Sequence, residues 1–386
     1  MNSSLLVPIW HAFKWLNRKR LQHHRLTLIN QTNDPERKIR IRPYTIKKIL
    51  LISVSDGWGN SLYLLGLAKR LYMAGYKVSL AVRKEYINRF TDTNFIDRII
   101  ALGTNHINET IKNFSPDIVV DLEYVALRHW NLRVEILKSA NCYSCCLSKL
   151  AKNSCYFDCL IPVETACHIS ERLAMVLSTI TNKRESPVYP LARLTEKDEI
   201  FIHQWLLDNT VLSTNFIYLN CCARDADRCF SFDQTKSMIN ELISKGYYIV
   251  VNSDCLSQPC QNQLTQISNK VHKLTPMSFQ QVTALVKRAQ FVITPDTSIT
   301  HVATWANRPS LVIFPPNDRD YWPIWRAADV WNGRSEITTT IYRDDVTLTI
   351  DSFGFASVKA GRNIDYPAEY LVQQLREFIN RVEFRS

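Results

Sequence analysis

The segment Thr294-Pro295-Asp296-Thr297-Ser298-Ile299-Thr300-His301 concentrates groups that can hold an anion. An apolar run, QFVIT (290–294), ends there, proline breaks it, and helical spacing follows over 296–307. Asp296 is expected at the N-cap, where a carboxylate accepts from the open N–H groups of a helix start. Thr297 and Ser298 would offer N–H groups and hydroxyls to a phosphate or a sugar, with His301 one turn later on the same side. A second turn, Ser55-Asp56-Gly57-Trp58-Gly59-Asn60-Ser61, joins the apolar run KKILLISVS (47–55) to a helical pattern. Its N–H groups can also face an anion or a sugar hydroxyl. It is not a dinucleotide fingerprint, because Gly57-x-Gly59-x-x-Leu62 lacks the third glycine. Arg224-Asp225-Ala226-Asp227-Arg228 sets two guanidiniums in a loop, where solvated local ion pairs are the plain reading. Asn252-Ser253-Asp254 ends another apolar run. Cys142-x2-Cys145 has metal-like spacing, but Cys155-x3-Cys159 does not complete a zinc pattern. The cysteines, Cys221-Cys222 included, therefore read as reduced, small core residues.

These turns need elements to hold them. Apolar runs at 47–55, 76–82, 98–102, 117–122 and 156–161 alternate with helical patterns at 60–75, 106–113, 124–138 and 168–180. Residues 182–195, with two prolines and little periodicity, read as a linker. The alternation restarts with strands at 215–220, 247–253, 290–294 and 310–314, and helices at 232–246, 278–289 and 296–307. A last amphipathic helix is expected at 365–382. Such alternation predicts parallel sheets. Two doubly wound halves facing each other would put their strand C-termini at a central cleft.

The chain has 386 residues and 44.8 kDa, a size for two domains. It has no apolar run of the 18 or more residues that a spanning helix needs. The net charge is +11, and residues 1–48 carry eleven Lys and Arg against two acids. Leu5, Leu6, Ile9, Trp10, Phe13 and Leu16 share one helical face, followed by the basic run Lys14 to Arg25. That pattern suits an interfacial helix on anionic lipid, or a helix on the protein's own surface. It is a poor signal peptide.

The order of these motifs resembles glycosyltransferase family 9, the lipopolysaccharide heptosyltransferases. TPDTSITHVA matches specifically. KILLISVSDGWGNSLYLLGLAKRL, PDIVVDLE, HISERLAMVL and FIYLNCCARDADRCFSFDQTKSMINEL match in order. The resemblance implies an α/β, GT-B fold of two Rossmann-like domains. It assigns 47–185 to acceptor binding and 196–364 to nucleotide-sugar binding, while charge and periodicity mark a basic extension (1–46) and a terminal helix (365–386). It implies an inverting, metal-independent transferase. The donor would be a nucleotide-sugar, most often ADP-heptose, with no other cofactor. Donor-binding positions are Arg224, Arg228, Asp254, Asp296, Thr297, Ser298 and His301. Acceptor-binding positions are Trp58, Gly59, Arg83 and Lys84. The implied partner is a lipid-linked oligosaccharide at an anionic membrane surface, met by a monomer on the cytoplasmic face.

One residue departs from the family pattern. The family's Gly-Asp pair, whose Asp is the presumed base, is Gly59-Asn60 here, and an amide cannot take a proton. Asp56 on the same turn, or Glu123, is then the base, with Asp56 and Asn60 the candidate catalytic positions. Two other readings follow: an inactive glycan-binding relative, suggested by Asn60, and a nucleic-acid binder, suggested by the basic N-terminus. The second lacks any readout motif.

Overall fold

The computed structural model describes residues 42–54, 57–91, 93–104, 106–123, 129–148, 157–162, 169–211, 216–313, 338–341, 349–350, 356–357 and 366–385. They divide into two compact units. The first takes the described residues of 1–55, 68–164 and 175–185, and the second those of 56–67, 165–174 and 186–386.

The first unit holds β1 (Lys48–Ser53), β2 (Lys77–Arg83), β3 (Arg98–Leu102), β4 (Ile118–Asp121), β5 (Tyr143–Ser148) and β6 (Cys159–Pro162). All pair in parallel, in the order β3-β2-β1-β4-β5-β6. Ile49 to Ile52 have no exposure at all, as a strand covered on both faces requires. Helices α2 (Ile107–Phe114) and α3 (Trp130–Ala140) lie in this unit, whereas α1 (Trp58–Met73) and α4 (Ile169–Thr181) are each divided, residues 58–67 and 169–174 counting with the second. Ile107, Ile111 and Phe114 of α2 pack with Leu50, Ile52, Val119 and Ile136. At the end of β4, buried Asp121 accepts from Arg133 Nε at 2.6 Å, and Arg133 lies over the Trp130 ring at 5.1 Å.

The second unit repeats the plan. Its strands β7 (Phe216–Asn220), β8 (Tyr248–Asn252), β9 (Val271–Lys273), β10 (Val292–Pro295), β11 (Ser310–Ile313) and β12 (Thr338–Ile341) run β12-β11-β10-β7-β8-β9. Counted within each sheet, both orders are 3-2-1-4-5-6, with switch points at β1/β4 and β7/β10. Helices α5 (Glu196–Asp208), α6 (Phe232–Ser244), α7 (Gln258–Thr265), α8 (Phe279–Arg288), α9 (Ser298–Trp305) and α10 (Ala368–Arg385) complete it. Side chains of β7 alternate between two cores, as the pleat dictates. Ile217 and Leu219 join Met238 of α6 and Leu375 and Phe378 of α10. Phe216 and Tyr218 join Ile202 of α5, Leu285 of α8 and Val302 of α9. Gln234 Nε2 donates to Tyr366 O at 2.7 Å, and Arg376 pairs with Glu241 at 2.7 Å, fixing the expected terminal helix on α6.

Some expectations change. The helix read at 124–138 begins at Trp130, with 124–128 outside the described residues. β5, β9, β12, α5 and α7 are not among the expected elements. The 182–195 linker is held: Leu191 N–H donates to Leu62 O at 2.9 Å, and Val188 N–H to Ser170 O at 3.0 Å. A Cβ on Gly66 would overlap Tyr189 O, so this close approach needs glycine. Cys145 of β5 lies in register with Cys159 of β6, and Cys155 is outside the described residues. No described His, Cys, Asp or Glu side chains group in threes to hold a metal. No described helix is long and apolar enough to cross a membrane. The amphipathic pattern of residues 5–16 lies outside the described residues.

Candidate functional site

β7 is apolar until its last residue, Asn220, which is 2% exposed. A buried amide needs partners. Asn220 Nδ2 donates to Thr294 Oγ1 on β10 at 3.0 Å and to Cys222 O at 2.9 Å. Its Oδ1 accepts from Asn252 Nδ2 of β8 at 3.0 Å. One side chain thus ties the ends of β7, β8 and β10 at the switch point, where connections diverge and leave room for a ligand.

α9 starts at this point, and its cap corrects the expectation. Thr297, with extended φ of −147°, is the N-cap, and its Oγ1 accepts from Ile299 N–H at 3.2 Å. Asp296 is not the cap. Its N–H still donates to Ile313 O at 3.2 Å, so residue 296 continues the strand, and its carboxylate turns to Arg228. Arg228 Nη1 donates to Asp296 O at 2.9 Å and lies 3.3 Å from Oδ2. Arg228 Nη2 donates to Asp225 Oδ2 at 2.5 Å. The local ion pair read in the loop is therefore present, and the same guanidinium also anchors the α9 turn. Burial pushes the Asp296 carboxyl above its ordinary range, and Arg228 opposes that rise. The first N–H groups of α9, at Ser298 among them, have no intrahelical acceptors and carry the helix's positive end.

His301 lies one turn into α9. Its ring meets Tyr63 edge-on at 5.2 Å between centroids. Burial pushes its imidazole down to about 4, so it is neutral near pH 7. Gly59, at the start of α1, touches the same ring: a Cβ there would overlap His301 Cδ2. Trp58 stacks on Phe279 of α8, with centroids 4.0 Å apart and planes within 15°. All of these residues belong to the second unit.

The structure thus brings Gly59 to His301, and Arg228 to Asp296 beside Thr297 and Ser298. Asn60 is half-buried, the third residue of α1. Arg224 and Asp254 are exposed, and Asp254 N–H approaches Asn252 Oδ1 at 3.5 Å. Arg83 and Lys84 belong to the first unit, where Arg83 pairs with Glu85 and sits over the Tyr86 ring at 5.1 Å. Glu123 is buried at the end of β4, its N–H donating to Asp121 Oδ1 at 3.0 Å. Asp56 lies outside the described residues. Sequence reasoning missed Asn220 and Phe279. The signal for the first is a polar residue closing an apolar strand.

Residues 160–345 match the family model described as glycosyltransferase family 9 (heptosyltransferase). This part of the chain is similar to the family-9 glycosyltransferases. The matched residues run from β6 through β12 and include Asn220, Arg228 and the 294–301 turn. The chain is 26% identical over 130 residues to lipopolysaccharide heptosyltransferase 3 of Escherichia coli, a match covering 31% of this chain and 36% of that protein. The chain thus spans about a third of that relative's length. Among solved structures, a family-9 glycosyl transferase from Veillonella parvula superposes with a TM-score of 0.66 at 13% identity, covering 90% of this chain and 99% of that one. Escherichia coli heptosyltransferase WaaC with ADP gives 0.61 at 14%, covering 87% and 99%. At such identities the likeness is one of fold, α/β of the GT-B kind.

Proposed function

We propose that this chain transfers a sugar, heptose from ADP-heptose, onto a lipopolysaccharide core acceptor, inverting the anomeric carbon without a metal. The reading rests on the α9 turn at the second sheet's switch point, with Arg228, Asp296, Thr297 and Ser298 assembled inside the region that matches family 9. A leaving nucleoside diphosphate accumulates negative charge. The α9 N–H groups and the Arg224 and Arg228 guanidiniums supply fixed positive charge for it. Asp296 orients the donor sugar, and neutral His301 supports the turn through packing and hydrogen bonding instead of charge. The acceptor hydroxyl loses its proton to a carboxylate as it attacks, a role assigned to Asp56. Trp58, Gly59, Arg83 and Lys84 are the acceptor-side positions, and the basic N-terminus brings the chain to an anionic bilayer.

The test is a transfer assay with ADP-heptose and heptose-deficient lipopolysaccharide, with and without EDTA, beside a thermal-shift panel of ADP- and UDP-sugars. A ligand that binds the native state raises its apparent stability. Transfer unaffected by EDTA, with ADP-sugars giving the larger shifts, is expected. Shifts by UDP-sugars alone would move the donor assignment. Restoration by manganese after EDTA would remove the metal-free mechanism.

A further inference from the structure

Cys222 and Cys255 open the loops that follow β7 and β8, adjacent parallel strands about 4.8 Å apart. The register pairs Asn220 with Asn252, so both cysteines fall just past the same sheet edge. Cys255 N–H donates to Cys222 Sγ at 3.0 Å. That contact puts the Cys222 sulfur beside the residue that carries the second thiol. Cys222 is half-buried, and Cys255 is the exposed cysteine among the described residues. The other nearby thiols face elsewhere. Cys221 is fully buried against Thr235, and Cys229 Sγ accepts Ala223 N–H at 3.2 Å inside its own loop.

We infer that Cys222 and Cys255 form a reversible thiol–disulfide site that reacts with small-molecule disulfides of the glutathione class. Hydrogen bonds from Cys255 hold the Cys222 thiol below its ordinary range, and donating that bond holds Cys255 above it. The Cys255 N–H on its sulfur favours the Cys222 thiolate, so Cys222 is the attacking thiolate and Cys255 the resolving thiol. In the first step the Cys222 thiolate attacks one sulfur of R–S–S–R. A Cys222–S–S–R bond forms, and R–S⁻ leaves and takes the proton that Cys222 gave up. In the second, Cys255 loses its proton to solvent and its sulfur attacks Cys222 Sγ, expelling the second R–S⁻, which is protonated. Two protein thiols are oxidised and one R–S–S–R is reduced to two R–SH. The loops already meet, so the bridge joins residues that lie in contact in the reduced protein.

The experiment treats the reduced full chain with oxidised glutathione at neutral pH and reads intact mass and unreduced peptide maps. The expected result is loss of two hydrogen atoms and a peptide linking Cys222 to Cys255, reversed by dithiothreitol. Cys255→Ser, a conservative change at an exposed position, should instead accumulate one glutathione on Cys222. Cys222→Ser should slow modification of Cys255 by roughly tenfold or more, because the favoured thiolate is gone. A link to Cys229, a stable adduct on Cys255 of the unsubstituted chain, or both thiols remaining fully alkylatable would overturn the site.

Discussion

At the scale of single residues, Asn60 poses the sharpest chemical question. It stands where the resemblance expects a carboxylate, and an amide cannot serve as base. If Asp56 holds that role, Asp56→Asn should cost about 10²–10⁴-fold in turnover while nucleotide affinity barely moves. Asn60→Asp should then leave the rate within a few-fold. Steady-state kinetics paired with calorimetry decides: full turnover of Asp56→Asn places the base elsewhere, and a sharp gain by Asn60→Asp restores the family position. Gly59 poses a steric question. Its hydrogen is all that separates α1 from the His301 ring. Gly59→Ala gains helix propensity but must displace that ring, so a net loss of about 1–3 kcal/mol in urea unfolding is expected. A neutral or stabilising result would show that the ring yields without cost.

At the scale of elements, the switch point depends on a side chain buried between strands. Asn220→Ala leaves Thr294 and Asn252 without their shared partner and should cost about 1–3 kcal/mol, read as a lower urea midpoint at unchanged slope. A midpoint equal to that of the unsubstituted chain would mean that other donors close the gap. The strands that carry the site were legible because a buried parallel strand is a short, nearly unbroken apolar run, as in KILLIS and FIYLN. The helix at 298–305 was legible from proline and the small polar residues before it. The sequence favours a cap one residue early, at Asp296, because both Asp and Thr are good caps. Only the Asp296–Ile313 hydrogen bond, a long-range contact, tells which residue ends the strand. β5 was lost because YSCCLS is poor in branched apolar residues, and β9 because three residues give no period. α5 was signalled after all: Thr195 and Asp198 form a reciprocal capping box. The weak periodicity of EKDEIFIHQWLLD hid it.

At the scale of the whole molecule, charge state and stability are linked through His301. Its folded value of about 4 lies below the unfolded value near 6.5, so between them the unfolded chain binds more protons. Its contribution is complete above about pH 6.5 and is lost as pH falls toward 4. It is on the order of 2 kcal/mol after allowance for partial exposure. Raised Asp296 titrates in the opposite sense, so the informative quantity is the difference between this chain and His301→Gln across pH 4–7. That difference should shrink as pH falls, and a flat difference would show that the ring takes up its proton in the fold as it does in the unfolded chain. The second whole-molecule property is the uneven charge. Eleven Lys and Arg against two acids in residues 1–48 carry most of the +11 excess. Basic residues near an anionic bilayer contribute roughly 1 kcal/mol each, and that attraction fades once salt shortens the screening length to a few ångströms. An apolar face at Leu5, Leu6, Ile9, Trp10, Phe13 and Leu16 would add a component that salt does not screen. The full chain should therefore float with phosphatidylserine vesicles at low salt and weaken, without vanishing, near 1 M. A chain lacking residues 1–41 should stay with the soluble fraction under both conditions. Equal flotation of the two chains at low salt would assign membrane attraction to the folded units, and complete release of the full chain by salt would remove the apolar face from the contact.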